Sequence, residues 1–221
     1  MSNEALEFME LGDNLEFNTP LTPEDALYVD TEKARGDFTF NNIYHRLGID
    51  SQTMELLKPM ERQYLLFMGH VGCGKSTELL RLKENLHGPD HYYVIHFDIS
   101  RELDFNNFQY VDLLFVCAQK LLTALKDEGL DIDPVYLGRL DRWFQQEIIT
   151  RTQDRIFSAE VSGEISAGLS FSGMLKLVSK VTSIFKTSSS HKRELREVVR
   201  SSFLEFADIF NELIQISNEV L

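Results

Sequence analysis

Gly69-His70-Val71-Gly72-Cys73-Gly74-Lys75-Ser76 reads GHVGCGKS and matches the phosphate-binding loop pattern GxxxxGK[ST] at every fixed position. The flanks supply the context that the pattern needs. Tyr64-Leu65-Leu66-Phe67-Met68 enters as an apolar run and predicts a buried strand. Leu79, Leu80, Leu82 and Leu86 leave at helical spacing, and Gly88-Pro89 stops the pattern as a Gly followed by Pro stops a helix. Strand, glycine loop and helix together predict nucleotide binding.

Each residue of the loop has a physical part in that prediction. Gly69, Gly72 and Gly74 allow backbone angles closed to other residues, so that successive N–H groups turn inward toward phosphate oxygens. The helix adds the positive end of its dipole at the same point. Lys75 is the candidate for the β- and γ-phosphates, and the Ser76 hydroxyl is the candidate ligand for Mg²⁺. Thr77 is expected to hold the α-phosphate side. His70, Val71 and Cys73 fill free positions of the pattern and read as spacers that contribute backbone.

Composition bounds the remaining classes. The chain has 221 residues, 43% hydrophobic and 26% charged, which is ordinary for a globular protein. No stretch of eighteen apolar residues predicts a membrane span, and the acidic start MSNEALEFMELGDNLEF has no signal-peptide character. The two cysteines provide neither a disulfide framework nor metal-ligand spacing, and the six histidines show none either. The expected compartment is the cytoplasm. A net charge of −13 argues against a protein that coats nucleic acid. Charge is uneven, however. Residues 1–35 hold nine acids against Lys33 and Arg35, whereas 174–200 hold seven bases against Glu194 and Glu197. The basic segment could meet nucleic acid or an acidic partner, but a solvated helix face is the preferred reading.

Along the chain, residues 1–20 read as a flexible acidic start, and 21–221 as the N-terminal portion of a phosphate-loop nucleotide-binding domain. Thr22-Pro23-Glu24-Asp25 has the form of a helix opening. Short helices are expected over Phe40 to Leu47 and Gln52 to Met60, and a second strand over Tyr92 to Asp98. Asn106 or Asn107 is expected to cap a long helix through Leu125, closed by Gly129. Asp133-Pro134 then opens a helix to about Phe157, on which Trp143-Phe144 reads as a core anchor. Residues 158–173, with Gly163, Gly168 and Gly173 as breaks, predict a small β-hairpin insert. Helices from Met174 to Phe185 and from Lys192 onward complete the chain. The expected fold is therefore a three-layer α/β phosphate-loop fold, helix-rich and incomplete at its C-terminal end, because two strands cannot cover five helices.

The stretches YVDTEKARGD, YLLFMGHVGCGKSTELLRL and YYVIHFDIS together resemble the AAA-like ATPases of the STAND class, including ATPases of bacterial conflict and antiphage systems. The block around EVSGEISAGLSFSG, ending in FNELI, is similar to the insert that those ATPases carry before their acidic strand. The resemblance implies ATP and Mg²⁺ as cofactors, with hydrolysis switching an oligomer or an effector protein. It implies Tyr28 and Arg35 on the adenine side. It also implies that the acidic catalytic strand follows Leu221, so that this chain alone hydrolyses little.

Two other readings stand beside the ATPase switch. One is a nucleotide-binding scaffold for protein association. The other is a phosphotransferase in which Asp98, ending the second strand, supplies the acid. Arg139, Arg142, Arg151 and Arg155 could include an arginine finger, although interleaved charge on one helix more simply forms a solvated face.

Overall fold

The computed structural model describes residues 20–26, 28–29, 40–58, 64–88, 92–130, 132–152, 170–187 and 190–220. The chain divides into two compact units, Met1–His96 and Phe97–Leu221.

The first unit is organised by helices α1 (Phe40–Arg46) and α2 (Lys75–Leu86). Phe40 and Tyr44 bury one face of α1, and Leu86 buries the end of α2 in the same cluster with Ile49. Polar tips find partners at the edge of this cluster, as half-buried aromatic and amide groups must. Asn85 Nδ2 donates to Tyr44 Oη at 2.8 Å, and Tyr92 Oη donates to the Leu47 carbonyl at 2.5 Å. The Arg81 guanidinium lies 4.9 Å from the Phe40 ring centroid.

Three expectations for this unit are corrected. Residues 22–26 form a turn, in which the Asp25 N–H meets the Thr22 carbonyl at 3.0 Å, and not a helix opening. The helix expected from Gln52 is replaced by a tight loop closed by a single bridge between Ile49 and Leu56. Asp50 causes this, because its Oδ1 accepts the N–H groups of Gln52 and Thr53 at 2.7 and 3.1 Å and so diverts them from a helix ladder.

The third correction concerns the fold class. Tyr64–Met68 and Tyr93–Asp98 run without regular structure, and no sheet is formed among the described residues. Tyr64, Leu66 and Met68 are 87, 83 and 78% exposed, so the first run is not a core strand. The second run spends its polar groups elsewhere: the Val94 N–H donates to His87 Nδ1 at 3.1 Å. Apolar β-branched and aromatic residues favour extended backbone, but a sheet also needs partner backbones to complete its ladder. The α/β three-layer expectation is overturned by a helical architecture.

Among the described residues of the second unit, the regular structure is all helical. Asp98 caps α3 (Ile99–Glu102), and α4 spans Tyr110–Asp127. Then α5 (Pro134–Trp143) passes into a π-helical turn, Phe144–Ile149, and α6 (Thr150–Thr152). The remaining helices are α7 (Phe171–Lys186), α8 (Ser190–Ser201) and α9 (Phe203–Val220). Phe115 lies at the centre of the core, with the rings of Phe206 at 4.5 Å, Phe185 at 5.5 Å, and Trp143 and Phe144 each at 6.2 Å. All five side chains are essentially inaccessible. Burying each contributes on the order of 2–3 kcal/mol, so the Trp143-Phe144 anchor belongs to the main stabilising cluster.

Local signals placed several helix ends as expected. Asp133 Oδ1 accepts the Val135 N–H at 2.7 Å with Pro134 at the first helical position, and Gly129, at φ 70°, closes α4. The α4 cap is displaced from Asn106 or Asn107 to Gln109, which forms a reciprocal capping box with Asp112. The hairpin expected over 158–173 falls mostly outside the described residues, and its last part is corrected. Phe171–Gly173 opens α7, with Ser170 Oγ accepting the Gly173 N–H at 3.2 Å.

The basic segment is not simply a solvated face. Lys192, Arg196 and Arg200 recur every fourth residue along α8 and reach the segment before and into α4. Lys192 Nζ lies 3.9 Å from Asp104. Arg196 binds Asp112 and also the Asn107 carbonyl, the latter at 2.6 Å. Arg200 donates to Gln109 Oε1. Arg196 and Arg200 therefore hold residues 107–112 by hydrogen bonds, while Lys192 stands buried near Asp104 without one.

Candidate phosphate-binding loop

The geometry of the loop follows from its glycines. Gly72 and Gly74 have φ of 79° and 80°, in the left-handed region that costs other residues about 1–2 kcal/mol. Gly69 is not at positive φ; a Cβ there would lie 2.8 Å from Cys73 Sγ, so the exposed Cys73 side chain would have to turn away. The turn is closed by the Cys73 N–H donating to the His70 carbonyl at 3.3 Å.

Helix α2 starts at Lys75, with Gly74 as its N-cap and no side-chain cap. The Glu78 N–H donates to the Gly74 carbonyl at 3.0 Å and completes the first helical turn. The N–H groups of Lys75, Ser76 and Thr77 precede that bond and have no acceptor within the helix. Three donors and the positive dipole end thus stand beside the loop, where an anion is favoured. Lys75 folds its chain into the same turn: Nζ donates to the Gly69 carbonyl at 2.9 Å and to the His70 carbonyl at 2.6 Å. The ammonium is held by main-chain oxygens, and those bonds are exchangeable for phosphate oxygens. Ser76 is exposed and Thr77 half-buried at the second and third positions of α2, while His70, Val71 and Cys73 are exposed on the loop. The Ser76 hydroxyl is a hard oxygen donor of the type that Mg²⁺ takes beside a phosphate.

Other expected site residues are not assembled with the loop by anything the structure describes. Tyr28 follows the turn at residues 22–26, its N–H donating to the Asp25 carbonyl at 2.9 Å. Arg35 and Arg155 lie outside the described residues. Arg139 pairs with Glu212, Arg142 donates to the Gly138 carbonyl of its own helix at 3.2 Å, and Arg151 meets Glu147 and Ser201. Glu78, which sequence reading passed over, is 2% exposed with its carboxylate 3.8 Å from Arg81. A buried acid in the first turn complements the same helix dipole as the loop donors. Its apolar neighbours Leu79 and Leu80 gave no local signal that it would face inward.

Among the described residues no group of three or more His, Cys, Asp or Glu side chains could hold a metal ion, and no helix is long and apolar enough to cross a membrane. Comparison with protein-family models, curated proteins and solved structures returns no match.

Proposed function

We propose that residues 69–77 bind the phosphate groups of ATP with Mg²⁺, and that nucleotide binding, with hydrolysis in the full-length protein, switches the protein's association with itself or with an effector protein in the cytoplasm. One observation carries this reading: the Lys75 ammonium sits inside a turn made by Gly72 and Gly74 at positive φ, beside the open N–H groups that start α2. Loop amides and Lys75 would hold the phosphates, and the Ser76 hydroxyl would hold Mg²⁺, which supplies charge neutralisation when bound. Antiphage defence is the setting that the STAND resemblance suggests.

Asp98 favours the switch over the phosphotransferase alternative. Its Oδ1 already accepts the Ser100 N–H at 2.9 Å and the Ser100 hydroxyl at 2.7 Å, so this carboxylate is engaged in capping α3. The test is thermal melting of the wild type and Lys75→Ala with and without MgATP. At a hundredfold excess over Kd, binding to the folded state adds about 2.7 kcal/mol, which reads as an upward shift in Tm. A shift of equal size in Lys75→Ala rejects the proposal.

A further inference from the structure

Tyr64-Leu65-Leu66-Phe67-Met68 leads into the phosphate loop with most of its side chains in solvent. Leu65 is exposed along with Tyr64, Leu66 and Met68, and Val71, inside the loop, is exposed completely. No other stretch of the described residues exposes so many large apolar side chains in succession. Among the described residues, Tyr64, Leu65, Leu66 and Met68 make no hydrogen bond through backbone or side chain. Such residue types favour extended backbone, and an unpaired extended run is a template for another strand. Proteins commonly blunt such an edge with charge or proline. Residues 64–73 contain no Asp, Glu, Lys, Arg or Pro.

Size and charge identify the occupant. The exposed side chains of this run offer on the order of 500 Å² per chain, the range in which an apolar patch marks an interaction site. Two copies laid together cover on the order of 1,000 Å², the size at which a specific interface begins. A chain of net charge −13 repels a second copy over most of its surface. That repulsion is least at the uncharged run. The run has no charged group with which to select a charged partner, and its own apolar sequence is its complement.

We propose that residues 64–68 pair antiparallel with the same residues of a second copy of this chain, as a ribbon with its two-fold axis at Leu66. Leu66 then meets the partner's Leu66, and Tyr64 meets the partner's Met68, so that apolar side chains cover one another. The unmatched backbone groups of each copy complete the ladder of the other. An isologous contact of this kind closes on itself and gives a dimer. The ribbon is a surface for the self-association proposed above, and the inference rests on that reading. It ends directly before Gly69, so pairing bears on the phosphate loop.

Analytical ultracentrifugation of the full chain without nucleotide tests the pairing. The 25.5 kDa chain is expected to sediment as a single species of twice that mass. A concentration of about 50 μM suits an interface at the small end of the specific range. Leu66→Lys sets two like charges opposite each other on the axis and should weaken the dimer about a hundredfold, which leaves a monomer at that concentration. Val135→Lys places the same charge at an apolar position 73% exposed in the second unit and should leave the dimer intact. If Leu66→Lys fails to fold, the equally exposed Tyr64→Lys is read in its place. A wild type that stays monomeric at about 200 μM overturns the proposal, because such an affinity is too weak for a specific pair. So does an open-ended series of larger species, or a folded Leu66→Lys that dimerises as the wild type does. None of these outcomes involves MgATP, so failure here is distinct from failure of nucleotide binding, which the Lys75→Ala melting decides.

Discussion

Arg196 Nε donates to Asp112 Oδ1 at 2.9 Å across 84 residues of sequence, and both side chains are buried. Asp112 also accepts the Gln109 N–H at 3.1 Å, so one carboxylate caps α4 and anchors α8 to it. A buried pair of this kind is costly to break, because the surviving charge has lost its partner and its water. Arg196→Met is expected to destabilise the protein by about 3–5 kcal/mol in denaturant unfolding. The double variant Arg196→Met with Asp112→Leu should recover most of that loss, short of about 1 kcal/mol for the lost cap. A double variant no more stable than Arg196→Met would show that the pair itself is not the cause.

Tyr136 Oη donates to the Ile209 carbonyl at 3.0 Å and ties α5 to α9 in the core. Burial raises its pKa well above the ordinary value of 10, with Glu212 adding to the shift and Arg139 opposing it. Above pH 10 the unfolded chain releases this proton while the folded chain retains it, so stability falls as pH rises. Tyr136→Phe is expected to cost about 1 kcal/mol at neutral pH and to flatten that alkaline loss. Urea midpoints measured from pH 8 upward check both parts.

Lys192 behaves with the opposite sign. Burial lowers its pKa below 10.5, Arg196 adds to this, and Asp112 and Asp104 oppose it. Its Nζ makes no hydrogen bond and is 3.9 Å from Asp104. Just below pH 10.5 the folded chain gives up this proton before the unfolded chain does, so stability rises with pH in that window. Lys192→Met should remove the rise and leave neutral-pH stability unchanged or higher by about 1 kcal/mol. A loss of several kcal/mol would show that the charge is well compensated.

The loop glycines separate strain from crowding. At Gly72 nothing lies within 4 Å of an added Cβ, so Gly72→Ala acts through its φ of +79° and should cost about 1–2 kcal/mol. At Gly69 the obstacle is Cys73 Sγ at 2.8 Å. Gly69→Ala should therefore weaken stabilisation by MgATP, and adding Cys73→Ala should restore it. Melting of the single and double variants with and without MgATP reads this directly, and a double variant no better than Gly69→Ala counts against crowding as the cause.

The loop and several helix ends were legible because their causes are local. GHVGCGKS specifies positive-φ positions and a returning lysine within eight residues, and Asp133-Pro134 specifies a cap and a first turn within three. The two apolar runs were misread for the converse reason. Tyr64–Met68 and Tyr92–Asp98 carry a local preference for extended backbone, but a sheet is a property of several chain segments together.

By itself, then, the sequence determined the glycine turn, the helix that follows it, the caps of the later helices and the apolar faces that build the aromatic core. The tertiary structure alone decided that the core is helical, that Lys192 and Arg196 are buried against residues 104–112, and that the backbone turns π-helical over Phe144–Ile149. The physical reason is range. Backbone angles and caps are set by neighbouring residues, whereas the burial of a charge depends on which distant side chain arrives to compensate it.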